Sequence, residues 1–304
     1  MRRIAKLSGL VLMLLAGVSQ AEIRVQDDIG REIILDAPAT RIVSLAPHLT
    51  EVIFAAGAGQ QLVGAVSYSD YPEAAQSVPR VGSYNSVSLE KMVALKPDLV
   101  FTWHSGNGEE IVARLEALGL KVYVERPRNL EAVAHSLRIV GLLTGNAPVA
   151  NRAADDYAAT LERLRSTYST RTPVSVYYQI WNEPLLTLND DHIISDVIRL
   201  CGGTNVFADA IPLVSRISVE SVIRADPQLI VASGMDEARP EWLDTWRRWT
   251  SMQAVRGNQL YFVPPDILQR HTPRIMQGAQ ILCEHLQSAR DHYTREGAVL
   301  AIPE

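Results

Sequence analysis

Ser88-Leu89-Glu90-Lys91-Met92-Val93-Ala94-Leu95-Lys96-Pro97-Asp98-Leu99-Val100 returns 130 positions later as Ser218-Val219-Glu220-Ser221-Val222-Ile223-Arg224-Ala225-Asp226-Pro227-Gln228-Leu229-Ile230. The copies align without a gap. Serine falls on serine, glutamate on glutamate, proline on proline, and apolar on apolar except Ala94, which meets Arg224. Each copy predicts a short helix followed at once by a buried strand. Ser88 and Ser218 are N-cap types, and Glu90 and Glu220 fall in the first turn, where a carboxylate suits the helix dipole. Proline stops the helix, and Leu99-Val100-Phe101 and Leu229-Ile230-Val231-Ala232 then read as buried strands. The spacing is too long for a solenoid, so it predicts two similar lobes. It also predicts two equivalent glutamates, one per lobe.

The pattern extends outward from both copies. In the first lobe, residues 23–35 alternate around Asp27-Asp28-Ile29-Gly30, a hairpin signal. Residues 41–45 read as a strand, Ala46-Pro47-His48 as a loop, and a helix starts near Thr50, with Gly57 and Gly59 ending it. A strand at 62–66 leads into Ser67-Tyr68-Ser69-Asp70-Tyr71-Pro72. After the first repeat come the loop Thr102-Trp103-His104-Ser105-Gly106-Asn107, a helix at 109–118 and a strand at 121–124. In the second lobe we expect a strand at 174–179 with exit loop Ile180-Trp181-Asn182-Glu183-Pro184 and a helix at 193–201. The second repeat and its exit loop at 233–236 follow. Then come a helix at 242–252, a strand at 260–263, a loop at 264–273 and a last helix at 274–288. This alternation predicts largely parallel sheets covered by helices. Residues 148–168 form one long helical pattern, with Ala153, Tyr157, Leu161, Leu164 and Tyr168 at helical spacing. The expected fold is two Rossmann-like α/β lobes joined by one long rigid α-helix. Its divisions are a signal peptide at 1–21, a first lobe at 22–146, a linking helix at 147–170, a second lobe at 171–290 and a poorly ordered tail at 291–304.

The chain of 304 residues is 47% hydrophobic and 21% charged, with a formal charge of −5. It has no basic tract, so a nucleic-acid partner is not expected. Arg2, Arg3 and Lys6 precede an apolar run at 10–18 and the small-residue site Ser19-Gln20-Ala21. That is the pattern of a secretory signal peptide, and the run is too short to span a bilayer. Its removal takes the formal charge from −5 to −8. No cysteine follows the run to carry a lipid. The two cysteines, Cys201 and Cys283, both lie in the second half. In an exported protein a single disulfide is their natural reading.

Ligands of parallel α/β sheets bind beyond the carboxyl ends of the strands. The loops expected there carry Pro47, His48, Tyr68, Tyr84, Trp103, His104, Trp181, Asp266, Arg270 and His271. The set is rich in aromatics and poor in charge, which suits a large, mostly uncharged planar ligand. Trp242, Trp246 and Trp249, at helical spacing, read as lobe core. No nucleophile elbow, Walker loop, dinucleotide fingerprint or zinc-protease motif occurs, so no enzyme is expected. The rival from another class is a metal-dependent enzyme using His48, His104 and His271. Equivalent glutamates on two lobes suit a partner with two matching cationic pockets.

Arg41-Ile42-Val43-Ser44-Leu45-Ala46-Pro47, the paired repeats and the long link resemble the helix-linked periplasmic substrate-binding proteins of ABC importers. Within that family the resemblance is to the vitamin B12-binding branch. It is carried also by the Tyr68 loop, Leu200-Cys201-Gly202-Gly203, the 266–270 stretch and Thr272-Pro273-Arg274-Ile275. It covers residues 41–287. It implies a monomer in the periplasm, with cobalamin as transported ligand rather than cofactor and no resident metal. Tyr68 and Asp266, Ile267, Leu268, Gln269 and Arg270 would contact the corrinoid, and Pro47, Tyr84, Trp103 and Trp181 would complete the wall; His48, which with His104 and His271 replaces a non-histidine residue of the family pattern, is a further candidate contact from its place on a cleft loop. Glu90 and Glu220 would pair with permease arginines, and Cys201 would be bonded to Cys283. Tyr84 and Leu213 stand where the family pattern has tryptophan, and Leu186 where it has phenylalanine. A ferric-siderophore or haem binder of the same fold is the alternative within the family.

Overall fold

The computed structural model describes residues 22–234 and 238–300, with side chains through Arg295. The expected signal peptide lies outside the described residues, as do Met235 and Asp236 of one exit loop and residues 301–304 of the expected tail. The chain opens with the antiparallel hairpin β1 (Ile23–Gln26) and β2 (Glu32–Leu35). The turn is held by Asp27, whose carboxylate accepts the Ile29 and Arg31 backbone N–H groups at 3.2 and 2.8 Å.

The first lobe then alternates strand and helix: β3 (Ile42–Ser44), α1 (Pro47–Ala55), β4 (Leu62–Ala65), the small pair β5 (Gly82–Ser83) and β6 (Ser86–Val87), α2 (Leu89–Leu95), β7 (Leu99–Trp103), α3 (His104–Ala117), β8 (Val122–Glu125) and α4 (Leu130–Thr144). Its four-stranded sheet has the order β4-β3-β7-β8 and is parallel throughout. β3, the body of β7 and β8 are buried, as a sheet covered on both faces requires. Three boundaries differ from the sequence expectation. α1 begins at Pro47, whose fixed φ and missing N–H suit the first helical position, so residues 46–48 are not a loop and Thr50 is not a cap. The Thr50 hydroxyl instead bonds Ser44 and Ser69 inside the lobe. Residues 104–107 are helical too, and the break falls at Gly108, with φ 77°. Residues 130–144, to which the sequence assigns no element, form α4.

α5 (Ala147–Tyr168) leads into the second lobe: β9 (Val174–Gln179), β10 (Leu186–Leu188), α6 (Ile193–Leu200), β11 (Gly203–Asn205), β12 (Val214–Arg216), α7 (Val219–Ala225), β13 (Leu229–Ala232), α8 (Gln253–Arg256), β14 (Leu260–Phe262), α9 (Pro265–Leu268) and α10 (Ile275–Leu300). The parallel sheet is β11-β9-β13-β14, and β10 and β12 form an antiparallel pair beside it. Residues 241–248 form a tight 3-10 helix in place of the expected α-helix. Trp246 is buried there, and its indole N–H donates to Gln179 Oε1 at 2.7 Å, so it belongs to the lobe core. α10 continues to Leu300, past the expected end near residue 288.

The repeat is structural. Ser88 Oγ accepts the Lys91 N–H and Ser218 Oγ the Ser221 N–H, at 3.3 and 3.2 Å. Met92 and Val222, at the same place in the two copies, are fully buried. Both helices end on a left-handed residue, Lys96 at φ 45° and Asp226 at φ 43°, and the prolines follow. The left-handed cap, rather than proline alone, therefore ends each helix. β7 and β13 hold the same place in their sheets, each flanked by two parallel neighbours.

α5 contributes Ala150, Ala154, Tyr157, Leu161 and Leu164 to an apolar cluster that holds Ile42 and Leu49 of lobe one and Val176 and Leu286 of lobe two. The lobes thus share a continuous core along the helix. Cys201, at the C-terminus of α6, is bonded to Cys283 on α10, with Cα atoms 4.6 Å apart. Among the described residues no helix is long and apolar enough to cross a membrane.

Candidate ligand-binding cleft

The segments that leave β3 and β7 meet the segment after α9 and the start of α6. Trp103, the last residue of β7, lies at their centre. Its ring centroid is 5.2 Å from His48, 6.2 Å from Tyr84 and 6.5 Å from His271. His48 and His271, from opposite lobes, are 5.4 Å apart, and His192 is 6.3 Å from His271. Asn107 fixes this arrangement from below. It accepts the Trp103 N–H at 2.6 Å and donates to the carbonyls of Leu45 and Tyr84 at 2.9 and 2.5 Å. His48 Nε2 is 2.8 Å from the buried Glu125 carboxylate, whose other oxygen accepts the Ser136 hydroxyl at 2.5 Å. One ring nitrogen of His48 is therefore committed within lobe one.

A charged layer joins the lobes beside this cluster. Glu51 of α1 is buried, and Arg270 Nη1 donates to it at 2.8 Å. Arg274 donates to the same carboxylate through Nε and Nη2, both at 2.9 Å. Arg270 also reaches Asp70 at 2.7 Å and Asp266 at 2.9 Å. The Arg274 guanidinium lies 3.8 Å from the ring centroid of Tyr71. Burial opposes the charge on Arg270, but Asp70, Glu51 and Asp266 outweigh it and hold its pKa above the ordinary value. Burial likewise raises Asp70, yet Arg270 outweighs it and leaves that carboxyl below its usual range.

The expected site residues divide as follows. Tyr84, Trp103 and His48 cluster; Asp266 and Arg270 are paired. Tyr68 is 77% exposed with φ 64°, a left-handed conformation that lifts its ring into solvent. Pro47 is half-buried at the start of α1. Trp181 is exposed, with its indole N–H bonded to the Glu183 carbonyl at 2.9 Å. Gln269 is held to the Gly234 carbonyl at 3.2 Å, and Ile267 is half-buried against the core. Leu268 is a correction. Its side chain is fully enclosed in the shared core, because α9 turns that face inward, and it offers nothing to the cleft. His104 is a second correction. As the first residue of α3 it lines a groove with Ile29, Arg31 and Val112 on the hairpin side. Among the described residues no group of three or more His, Cys, Asp or Glu is placed to hold a metal ion.

The sequence reading misses His192, Arg126 and Arg128. A cavity of about 210 Å³ lies between Trp103, Ser105, Arg126, Pro127 and Arg128 on one side and Asp191, His192, Ile193, Leu213 and His271 on the other. His192 is the N-cap of α6, and its Nδ1 accepts the Ile194 N–H at 3.2 Å. That bond places the neutral ring's proton on Nε2. Burial lowers its pKa to about 4. Burial, with His48 and His192 nearby, pushes His271 well below the ordinary histidine value. The stretch Asn189-Asp190-Asp191-His192 before an apolar helical run signals a helix start, but its three usual cap types precede His192, which is the residue that caps the helix.

Glu90 and Glu220 are exposed in the first turns of α2 and α7. The Glu220 backbone N–H and the Ser218 hydroxyl lower the Glu220 pKa.

A family model described as periplasmic binding protein matches residues 42–267, and the chain belongs to that family. It is 36% identical over 254 residues to a vitamin B12-binding protein of Vibrio cholerae serotype O1, a match covering 83% of this chain and 91% of that one. Among solved structures it is similar to the periplasmic vitamin B12 binding protein BtuF of Vibrio cholerae, with 35% identity and a TM-score of 0.77 over 83% of this chain and 98% of the other. The periplasmic haem-binding protein RhuT of Roseiflexus sp. RS-1 shares the fold at 24% identity and a TM-score of 0.71, over 83% of this chain and 99% of that chain.

Proposed function

We propose that this periplasmic binding protein captures vitamin B12 between its lobes and delivers it to the permease of an ABC importer. The observation that carries the reading is the aromatic cluster at the strand ends, in which Trp103 lies 6.2 Å from the exposed Tyr84 and the pair presents flat apolar area to a planar ligand. The ligand is cargo, and the protein performs no chemistry on it. The core shared along α5 keeps lobe motion small, so little affinity is spent on closure. Arg270 and Arg274 are already neutralised by Glu51, Asp70 and Asp266, so this pair offers no free cation to an acidic ferric siderophore. On this reading Asp266 and Arg270 exchange hydrogen bonds with the corrin amides. Glu90 and Glu220 dock the monomer through cationic pockets on the permease.

The test is a titration of the purified protein with cobalamin, haem and a ferric siderophore, read by tryptophan fluorescence and by absorbance. Saturable one-to-one binding of cobalamin, weakened at least tenfold by Trp103→Ala, is expected. Tighter binding of haem or of the siderophore would overturn the reading.

A further inference from the structure

The interlobe cavity beneath Trp103 has a chemistry that the aromatic wall does not account for. Arg126 and Arg128 leave β8 on either side of Pro127, and both are exposed. Neither guanidinium has a carboxylate partner among the described residues, whereas Arg270 and Arg274 have several. The backbone beneath them is fixed at both ends. The Arg126 N–H is held by Asp28 Oδ2 at 2.7 Å, and the Leu130 N–H by Asp196 Oδ2 of lobe two at 2.9 Å. Pro127 removes one more degree of freedom between them.

From lobe two, His192 brings an Nε2–H to the same cavity, its other nitrogen being committed to Ile194. Ser105 adds a hydroxyl. The acids nearby are largely accounted for. Glu131 is bound by Arg165 at 2.5 Å, and Asp28 accepts from Arg126 and from the Tyr123 hydroxyl at 3.3 Å. Asp191 on the far rim remains, against two cations. Two uncompensated guanidinium groups and a fixed neutral donor around one cavity define a site for an oxyanion. Because the cavity opens beside Trp103, the oxyanion is one carried at the edge of a planar ligand.

We infer that Arg126 and Arg128, with His192, form a subsite for the phosphodiester of a complete corrinoid. The inference rests on the functional reading above, and it names the part of the ligand that would be discriminated. Cobalamin carries that phosphodiester in its nucleotide loop; cobinamide has the same ring without it.

The experiment is calorimetric titration of the wild type, Arg126→Gln, Arg128→Gln and the double variant with cobalamin and with cobinamide, at low and high salt. The wild type binds cobalamin about tenfold or more tightly than cobinamide. Each single substitution narrows that ratio, the double variant brings it close to one, and salt narrows it in the wild type but not in the double Gln variant. Arg126→Lys with Arg128→Lys, which keeps charge but loses the fork, falls between. Both residues are exposed, so thermal unfolding of the variants should match the wild type. Equal wild-type affinities for the two corrinoids, or a ratio that survives the double substitution, would overturn the subsite while leaving B12 capture intact. Binding of neither corrinoid would overturn both. Haem is the third arm, since its propionates are the other oxyanions a planar macrocycle brings; arginine-dependent binding of haem in place of cobalamin would overturn the assignment to phosphate.

Discussion

Arg270 Nη1 donates to Glu51 Oε1 at 2.8 Å from one lobe to the other, across 219 positions of sequence. The carboxylate is almost wholly buried, and its remaining acceptor sites are taken by Arg274. A buried charge is tolerable only while it is paired, so this contact ties the two lobes at the side of the cleft.

Removing the carboxylate strands Arg274 and takes one of three partners from Arg270. Glu51→Ala should destabilise the protein by about 3 kcal/mol, the low end for a broken buried pair, because Arg270 retains Asp70 and Asp266. Urea unfolding of wild type and variant checks this. A change under about 0.5 kcal/mol would mean that the arginines relax into the open cleft without penalty.

The Cys201–Cys283 bond closes a loop with a sequence separation of 82 between α6 and α10. Replacing both cysteines by alanine should lower stability by about 2–4 kcal/mol, and reduction of the wild type should act in the same direction. Denaturation with and without reductant measures it, and coincident curves would contradict it.

The cleft histidines govern pH behaviour. With His192 at about 4 and His271 held well below the ordinary histidine value by burial, both rings stay neutral across the mildly acidic range. B12 affinity should therefore be flat between about pH 8 and 5.5, in contrast to a site built on a histidine titrating near 6.5. Stability should not be flat. The unfolded chain takes up these protons near 6.5 and the folded chain does not, so stability is full above that pH. It then declines as pH falls toward the folded-state value of about 4. Thermal unfolding and B12 titration on the same pH series separate the two; affinity falling through 6.5 would show that a protonated ring opposes the ligand.

Glu90→Ala and Glu220→Ala should each weaken association with the permease by roughly tenfold at low salt, less at high salt, while B12 affinity is unchanged. Both side chains are exposed and lie in equivalent first turns, away from the strand ends. Pull-down against reconstituted permease, with B12 titration in parallel, is the measurement. Reduced B12 affinity would move the glutamate from docking to the cleft or the fold.

What the sequence determined by itself was local or repeated. The two Ser-x-Glu helices, their caps and the strands after them rest on contacts within a dozen residues, so a linear reading suffices, and β7 and β13 fall where it places them. The cysteine pair needed only the count of two and an oxidising compartment. The direction and company of side chains were decided by the tertiary structure. Glu51 looks like a solvated helix position until lobe two supplies Arg270 and Arg274. His104 and His192 exchange roles because α3 starts one residue after Trp103 and turns His104 toward the hairpin, while the N-cap geometry of α6 turns His192 inward. Leu268 and Gln269 are adjacent, yet one is enclosed in the core and the other only partly covered, because a single step along a helix rotates the side chain by about 100°. Arg126 and Arg128 carry no pattern of their own, and only the docking of α6 against the end of β8 makes them one wall of a cavity. A cleft between lobes is assembled from residues distant in sequence, and its chemistry exists only once the shared core along α5 has brought the two lobes together.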